Sequence, residues 1–469
     1  MRNFVFGLFL VVSGLASAAT YQVGPTRTHT NLNALFAAVD LAGGDVVEVD
    51  GGVIYDVGTP GVVMPAADGG DPGNPVILRG IKVGGQRPHL RGGTNTIEFR
   101  LSNHVVFEGF EVSGTGNTST GTFRCVYHHS HDLVIRDAYI HDCPRHGILG
   151  ADQDSGSLLV EYSEVFNAGS NNGNHAIYMA TDEVAHPGAV FRLQYSWIHD
   201  SQFDPAVVGG NLIKSRAERN EIYYNWLEDA FYHELELIGP DPGGAQAGWN
   251  DGLAREDSDV VGNVIVHTAS FGAVLRFGGD GTGESFGRYR VVNNTIVRRN
   301  ANDDQPTVFR LFEGIDALEF HNNVIWREGP STVTLIRAVT GEVQWNTGVA
   351  KVTGSNNWID TGFTFNPSNV PHTIGTTYTG TDPGFANLAA YDLSPAAGSP
   401  LLDIGNPSVV SPTTFEIASP LFPPAFHPPV RALLPVGSAA LRGTAGVIDI
   451  GAFERAVVEM PLFADGFEG

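Results

Sequence analysis

The sequence predicts an all-β chain wound into a parallel solenoid, and three observations carry that prediction. The first is composition: of 469 residues, 42% are hydrophobic and only 17% charged, and 58 glycines accompany abundant Asn, Asp, Val and Ile. This is the profile of a turn-dense β protein rather than a helical or disordered one. The second is an internal repeat. The segments VILRGIKV (76–83), VVFEGFEV (105–112), LVIRDAYIH (133–141), LLVEYSEVF (158–166), RLQYSWIH (192–199), EIYYNWLE (221–228), VVGNVIV (260–266), RVVNNTIV (290–297) and EFHNNVIW (319–326) are short alternating strands with a small residue before the second apolar position. The third is spacing. Aligned on Val83, Val112, Ile140, Val165, Ile198, Leu227, Ile265, Ile296 and Ile325, the repeat steps by 25 to 38 residues, too short for a βαβ unit in every coil and without helical periodicity. Such coils cannot bury their inward side chains alone, so they stack around a column of Val, Ile, Leu and Phe.

The elements follow in order. Arg2, the apolar run from Phe4 to Val12 and the small-residue site Ala16-Ser17-Ala18 read as an export signal over residues 1–18, so the protein is expected to be secreted, extracellular or periplasmic. That run is too short to span a bilayer and no later stretch reaches eighteen uninterrupted apolar residues, so no membrane span is expected. Residues 19–57 form a cap and first strand. NLNALFAAVDL (31–41) sets Leu32, Leu35, Phe36 and Val39 on one helical face, a lid for the open end of the solenoid, and GDVVEVDGGVIYDV (44–57) opens the first coil. The coils occupy residues 58–365. Asn225, Asn263, Asn294 and Asn323 recur at bends, where Asn tolerates left-handed backbone and its amide can join a hydrogen-bonded ladder. Residues 366–455 form an irregular segment packed on the solenoid, because eight prolines between 405 and 437 cannot supply donors to a sheet interior. A short tail, 456–469, ends the chain. Cys125 and Cys143 either form a bridge, which export permits, or lie as two buried thiols in neighbouring coils.

Charge narrows the function. Against 27 basic residues stand 51 acidic ones, a formal net charge of -24, which excludes a general nucleic-acid binder and restricts any anionic partner to a local basic patch. The chain has no H-E-x-x-H, no phosphate-binding loop and no dinucleotide fingerprint. It also lacks the Asn-x-Asp, Asp-Asp and Gly-His-Gly set of polygalacturonase-like hydrolases, since Asp303-Asp304 stands without partners.

The repeat, together with DPGFANLAAYDLSPAAGSPLLDIG (382–405) and VIDIGAFE (447–454), resembles the secreted right-handed parallel β-helix proteins of the pectate-lyase-like superfamily over roughly residues 20–455. Within that superfamily, IKSRAERNEIYYN (213–225) resembles the Lys-Ser element of the branch containing alginate lyases and chondroitinase B. The resemblance implies that Lys214 is a Brønsted base. Two positions depart from the branch: Gly209 and Val207 stand where acidic calcium ligands are found, and HELELIG (233–239) stands where an arginine is found.

Alternation supplies the candidate site. If Ile148, Ile177, Ile213, Leu235, Leu275 and Phe309 point inward, their successors point outward and form one column: Leu149, Tyr178, Lys214, Glu236, Arg276 and Arg310. One reading is catalytic: a uronate-containing polysaccharide or other glycan lies along the sheet, Lys214 removes a proton, Arg276 or Arg216 neutralises the sugar carboxylate, and Tyr178 or His175 returns a proton. Arg216, Arg219, Glu236 and Arg310 are then substrate-binding candidates. The other reading is a structural salt-bridge ladder, with Glu236 between Lys214 and Arg276. His146, His175 and His233 likewise fit either a stacked polar corner or acid-base chemistry.

No cofactor is required by this chemistry. For Ca²⁺ the candidate ligands are Asp152, Asp154, Asp182 and Glu183, in turns just past successive strands, with Asp204 nearby. Solvated Asp-rich turns explain the same residues. The histidines His128, His129, His131, His141 and His146 match no zinc-ligand spacing. The expected function is that of a monomeric lyase acting by β-elimination, the alternatives being a non-catalytic glycan-binding surface or matrix protein and a uronate epimerase, which shares the first proton abstraction.

Overall fold

The computed structural model describes residues 18–116, 121–150, 153–239, 257–279, 285, 287–299, 307–312, 315–329, 332–339, 351–366, 370–409, 411, 422–443 and 446–455. The export signal up to residue 17, Asp152, Asp303-Asp304 and the tail lie outside these residues. Among the described residues, three all-parallel sheets of 13, 12 and 11 strands run the length of the molecule, and each sheet takes nearly every third strand of the chain. This is a right-handed parallel β-helix. Stacking begins at Thr20–Val23, which pairs with Val46–Asp50 and forms the first edge, and continues to Thr377–Gly380.

The core is the stack of inward anchors. In the twelve-strand sheet Val112, Ile140, Val165, Ile198, Leu227, Ile265, Ile296 and Ile325 lie in register and are buried. Val83 does not join them. It is 51% exposed beside the Gly84-Gly85 turn, and Leu90, from the three-residue strand His89–Arg91, takes the position above Val112. The anchor was expected one turn too early because RPHLR offers too little apolar alternation to mark a strand.

One corner of every coil is fixed by side-chain amides. Asn225, Asn263, Asn294, Asn323 and Asn357 are fully buried, and each Asn Nδ2 donates to the Oδ1 of the next at 2.9–3.0 Å. Each Oδ1 also accepts the backbone N–H of the Asn one coil earlier, and Ser196 and Ser163 continue the pattern upstream. The left-handed backbone falls one residue before each ladder position, at Tyr224, Gly262, Asn293, Asn322 and Asn356, with φ of 52–69°. The ladder residues themselves were expected to carry it. Their role is to satisfy amides that the left-handed bend turns out of the sheet.

The N-terminal helix is a single turn, Leu32–Phe36, capped by Asn31, whose Oδ1 accepts the Ala34 N–H at 2.9 Å. Leu32 and Leu35 enter the core, and Phe36 and Val39 pack against it. Cys125 and Cys143 form a disulfide between neighbouring coils. The C-terminal segment forms a small antiparallel pair, Phe385–Asn387 with Asp392–Pro395. It then lays Leu393, Leu401, Ile450, Ala452 and Phe453 over Trp226, Val264, Val266, Val297, Val324 and Trp358, on the outward face of the later coils of the twelve-strand sheet. Arg442, fully buried there, is held by Glu454 and by the carbonyls of Asp449 and Gly451.

The ladder is the element whose loss is most costly locally. Asn294→Ala strands the Asn263 N–H and amide and the Val260 carbonyl. Each buried unsatisfied group costs about 1–3 kcal/mol, so a fall in the chemical-denaturation midpoint is expected, larger than for Asn406→Ala at a half-buried position.

Candidate functional site

The site grows from the outward positions of the eleven-strand sheet. Ile148, Ile177, Ile213, Leu235, Leu275 and Phe309 are all buried in the core, and their successors pair in register: Leu149 with Tyr178, Tyr178 with Lys214, Lys214 with Glu236, Glu236 with Arg276, and Arg276 with Arg310. The column extends to Arg337 below and to Tyr127 and Glu98 above. Arg337 obeys the same rule, one residue past the inward Ile336, and extending the alternation to VTLIRA would have found it.

Glu236 is the hub of the column. Its buried carboxylate pairs with Arg276, accepts a hydrogen bond from Asn211 Nδ2, and lies 3.8 Å from Lys214 Nζ. Lys214 Nζ sits 5.5 Å from the Tyr178 ring centroid. Arg216, buried on the same face, donates from Nε to Tyr178 Oη at 3.1 Å and from Nη1 to the Gly239 carbonyl. Downstream, the Arg276 and Arg310 guanidinium groups flank the Phe312 ring at 4.2 and 4.7 Å. Arg310 has no carboxylate partner among the described residues; burial and the neighbouring Arg337 push its ionisation below the ordinary guanidinium value.

A second outward row stands beside the first. The His175 N–H donates to His146 Nδ1 at 3.3 Å and the Asn211 N–H to His175 Nδ1 at 3.0 Å, while His233 Nδ1 donates to the Ala273 carbonyl at 2.6 Å. The His175 ring meets Tyr178 edge-on at 5.6 Å. Burial, aided by Lys214 and His146, holds His175 well below the usual imidazole range, and burial takes His146 and His233 to about 3. All three are therefore neutral at neutral pH. With Nδ1 occupied as an acceptor, His175 carries its proton on Nε2.

Arg219 stands apart from this group. It opens the strand Arg219–Tyr223 in the thirteen-strand sheet and is bound by Asp259 at 2.6 Å and Glu221 at 3.4 Å. Alternation along one strand cannot reveal where the chain turns onto the next sheet. Of the calcium candidates, Asp182 caps a turn: its carboxylate accepts the backbone N–H groups of Asp154, Val184 and Ala185 at 2.9–3.1 Å. Glu183 is buried beside it. Among the described residues the one convergent group of three metal-ligating side chains lies elsewhere, at His89, Glu111 and His141.

The electrostatic pattern of this face differs from that of the early coils of the thirteen-strand sheet. On the outward face of the thirteen-strand sheet, Glu48, Arg79, Glu108, Arg136 and Glu161 stack in register with alternating sign, paired at 2.6–3.7 Å from Arg79 to Glu161. Parallel stacking about 4.8 Å apart makes such alternation the neutral solution. The run Arg276, Arg310, Arg337 departs from it.

The buried histidines make stability depend on pH. Unfolded imidazoles titrate near about 6.5, whereas His146 and His233 titrate at about 3 in the fold, so in that window the unfolded chain binds more protons and folding weakens as pH falls. The denaturation midpoint is expected to drop between those limits, and less steeply in His146→Asn, which keeps an acceptor for the His175 N–H. Identical slopes for the two proteins would contradict the assignment.

No family model matches the chain, and no curated protein matches it in sequence. Solved structures do. The pectate lyase Pel9A aligns with a TM-score of 0.50 at 14% identity, covering 94% of this chain and 98% of that one. A PL6 family polysaccharide lyase from Pseudopedobacter saltans aligns at 0.43 and 12% identity, covering 78% of this chain and 93% of that one. A GH136 lacto-N-biosidase from Eubacterium ramulus gives 0.43 and 11%, with 78% and 68% covered. At 14% identity the likeness to the pectate lyase is one of architecture: the two chains share the right-handed parallel β-helix fold.

Proposed function

We propose that the protein is a secreted enzyme that binds a uronate-containing polysaccharide along the outward face of the eleven-strand sheet and cleaves it by β-elimination. The observation that supports this reading is the in-register run of Arg276, Arg310 and Arg337 on a protein of net charge -24. Arg310, stacked between Arg276 and Arg337, has no carboxylate partner among the described residues, and a bound sugar carboxylate supplies one.

The chemistry follows from position. Arg276 and Arg310 hold the uronate carboxylate and stabilise the enolate-like charge that develops as the C5 proton leaves. Lys214 accepts that proton, the C4–O bond breaks as the C4–C5 double bond forms, and Tyr178 gives its phenolic proton to the departing oxygen. Arg216 and His175 orient Tyr178. Glu236 restrains the resting site, because its carboxylate pairs with Arg276 and lies 3.8 Å from Lys214 Nζ. The same pairing favours a second reading, a non-catalytic glycan-binding platform in which Glu236 occupies Lys214 and Arg276 permanently.

Unsaturated, ultraviolet-absorbing products from a panel of uronate polysaccharides are the readout. Lys214→Ala is expected to lower kcat by about 10²–10⁴-fold, the usual worth of a positioned base. Saturable binding of uronate oligosaccharides, weakened by Arg310→Ala, without product from the wild-type protein, would replace the lyase reading with the binding one.

A further inference from the structure

A second constellation lies on a different sheet, where the early coils of the twelve-strand sheet turn outward. His89, Glu111 and Ser113, and His141 come from the three successive strands His89–Arg91, Glu111–Ser113 and Tyr139–Cys143. Leu90, Val112 and Ile140 between them point into the core, so all four polar side chains share the outward face.

Three features of this group converge. His89 Nδ1 and His141 Nε2 both face the same carboxylate oxygen, Glu111 Oε1, at 3.3 and 3.2 Å, and the three donor atoms lie within 4.8 Å of one another. A tetrahedral ion with bonds of about 2.0–2.1 Å sets its ligand atoms about 3.3 Å apart, so these two spacings already match. The far nitrogen of each ring is also fixed: His89 Nε2 by Ser113 Oγ at 2.7 Å and His141 Nδ1 by Asp142 Oδ2 at 2.9 Å. A carboxylate on the far nitrogen directs the lone pair of His141 Nε2 inward, the arrangement that orients metal-bound imidazoles. Finally, His89, Glu111 and Tyr139 line a cavity of about 590 Å³, which leaves room for a further ligand.

The same column two coils on provides a contrast. His199 sits between Glu164 at 3.2 Å and Asp200 at 2.7 Å. Burial opposes its protonation, but those hydrogen bonds raise it above the ordinary imidazole value. There a single imidazole bridges two carboxylates. At Glu111 a second imidazole has been added, and two neighbouring imidazolium ions on one oxygen would repel. A single divalent ion would serve both rings.

We propose that His89, Glu111 and His141 bind a divalent transition-metal ion of the zinc class, with a coordination position open toward the cavity. Two imidazoles and one carboxylate favour such an ion over Ca²⁺ or Mg²⁺, which take all-oxygen shells. The site is separate from the arginine-bearing face and does not depend on the lyase reading.

The test uses the full chain, stripped with a chelator and dialysed, then titrated with Zn²⁺ by calorimetry and with Co²⁺ by visible absorption. One equivalent of saturable binding is expected, with ligand-field bands of low-coordinate Co²⁺, and excess Ca²⁺ is expected not to displace it. His141→Ala should abolish the bands. Asp142→Asn, which leaves all three ligands in place, should weaken binding about 10–100-fold, while His199→Gln should leave it unchanged. Circular dichroism and melting temperature establish that each variant is folded. Absence of saturable binding, or equal affinity in the wild type, His141→Ala and Asp142→Asn, would overturn the proposal.

Discussion

In-register stacking of coils about 4.8 Å apart is the constraint on which everything else in this molecule rests. It places like positions over like positions for the whole length of the chain, so every side-chain type must find a way to tolerate its own kind. Asparagine does so through the amide ladder from Asn225 to Asn357, in which each side chain is donor to one neighbour and acceptor from another. Aromatic residues do so by stacking, as Tyr162, Tyr195 and Tyr224 do at centroid distances of 4.9 and 5.7 Å. Charge most simply alternates, as in the early coils of the thirteen-strand sheet with Glu48, Arg79, Glu108, Arg136 and Glu161.

Departures from alternation therefore carry information. The arginine run of the eleven-strand sheet and the His–Glu–His group of the twelve-strand sheet bring together groups that repel or compete unless something of opposite charge lies between them, as Arg219 does for the stacked Glu221 and Asp259 of the thirteen-strand sheet. For the first, a polyanion is the fitting complement, and for the second a single cation. The C-terminal segment sharpens the contrast, because it packs over the later coils of the twelve-strand sheet with Leu393, Ile450 and Phe453. The outward column from Tyr178 to Arg337 belongs to another sheet.

Much of this was legible because alternation and repeat are local properties. The inward anchors and the column Leu149, Tyr178, Lys214, Glu236, Arg276 and Arg310 follow from the rule that neighbours on a strand face opposite sides, and the same rule extends to Arg337. The Asn ladder was legible from recurrence alone, although the left-handed bend falls one residue earlier. Where local signals failed, a specific cause stands behind each case. Val83 ends an apolar run but precedes a double-glycine turn, and taking it as an anchor hid the short strand that carries His89. Arg219 follows Arg216 closely in sequence yet opens a strand of another sheet.

The sequence by itself determined which residues face the core and which positions stack within a sheet, because backbone alternation and hydrophobic burial act over a few residues. It also set the charge of each outward position. Only the tertiary structure decided which carboxylate claims which cation, that Cys125 reaches Cys143, and that His89, Glu111 and His141 converge on one point. Those outcomes depend on coil lengths that vary from turn to turn and on long side chains choosing among partners contributed by separate coils. No local pattern encodes that choice, since it is settled by the distances that stacking imposes.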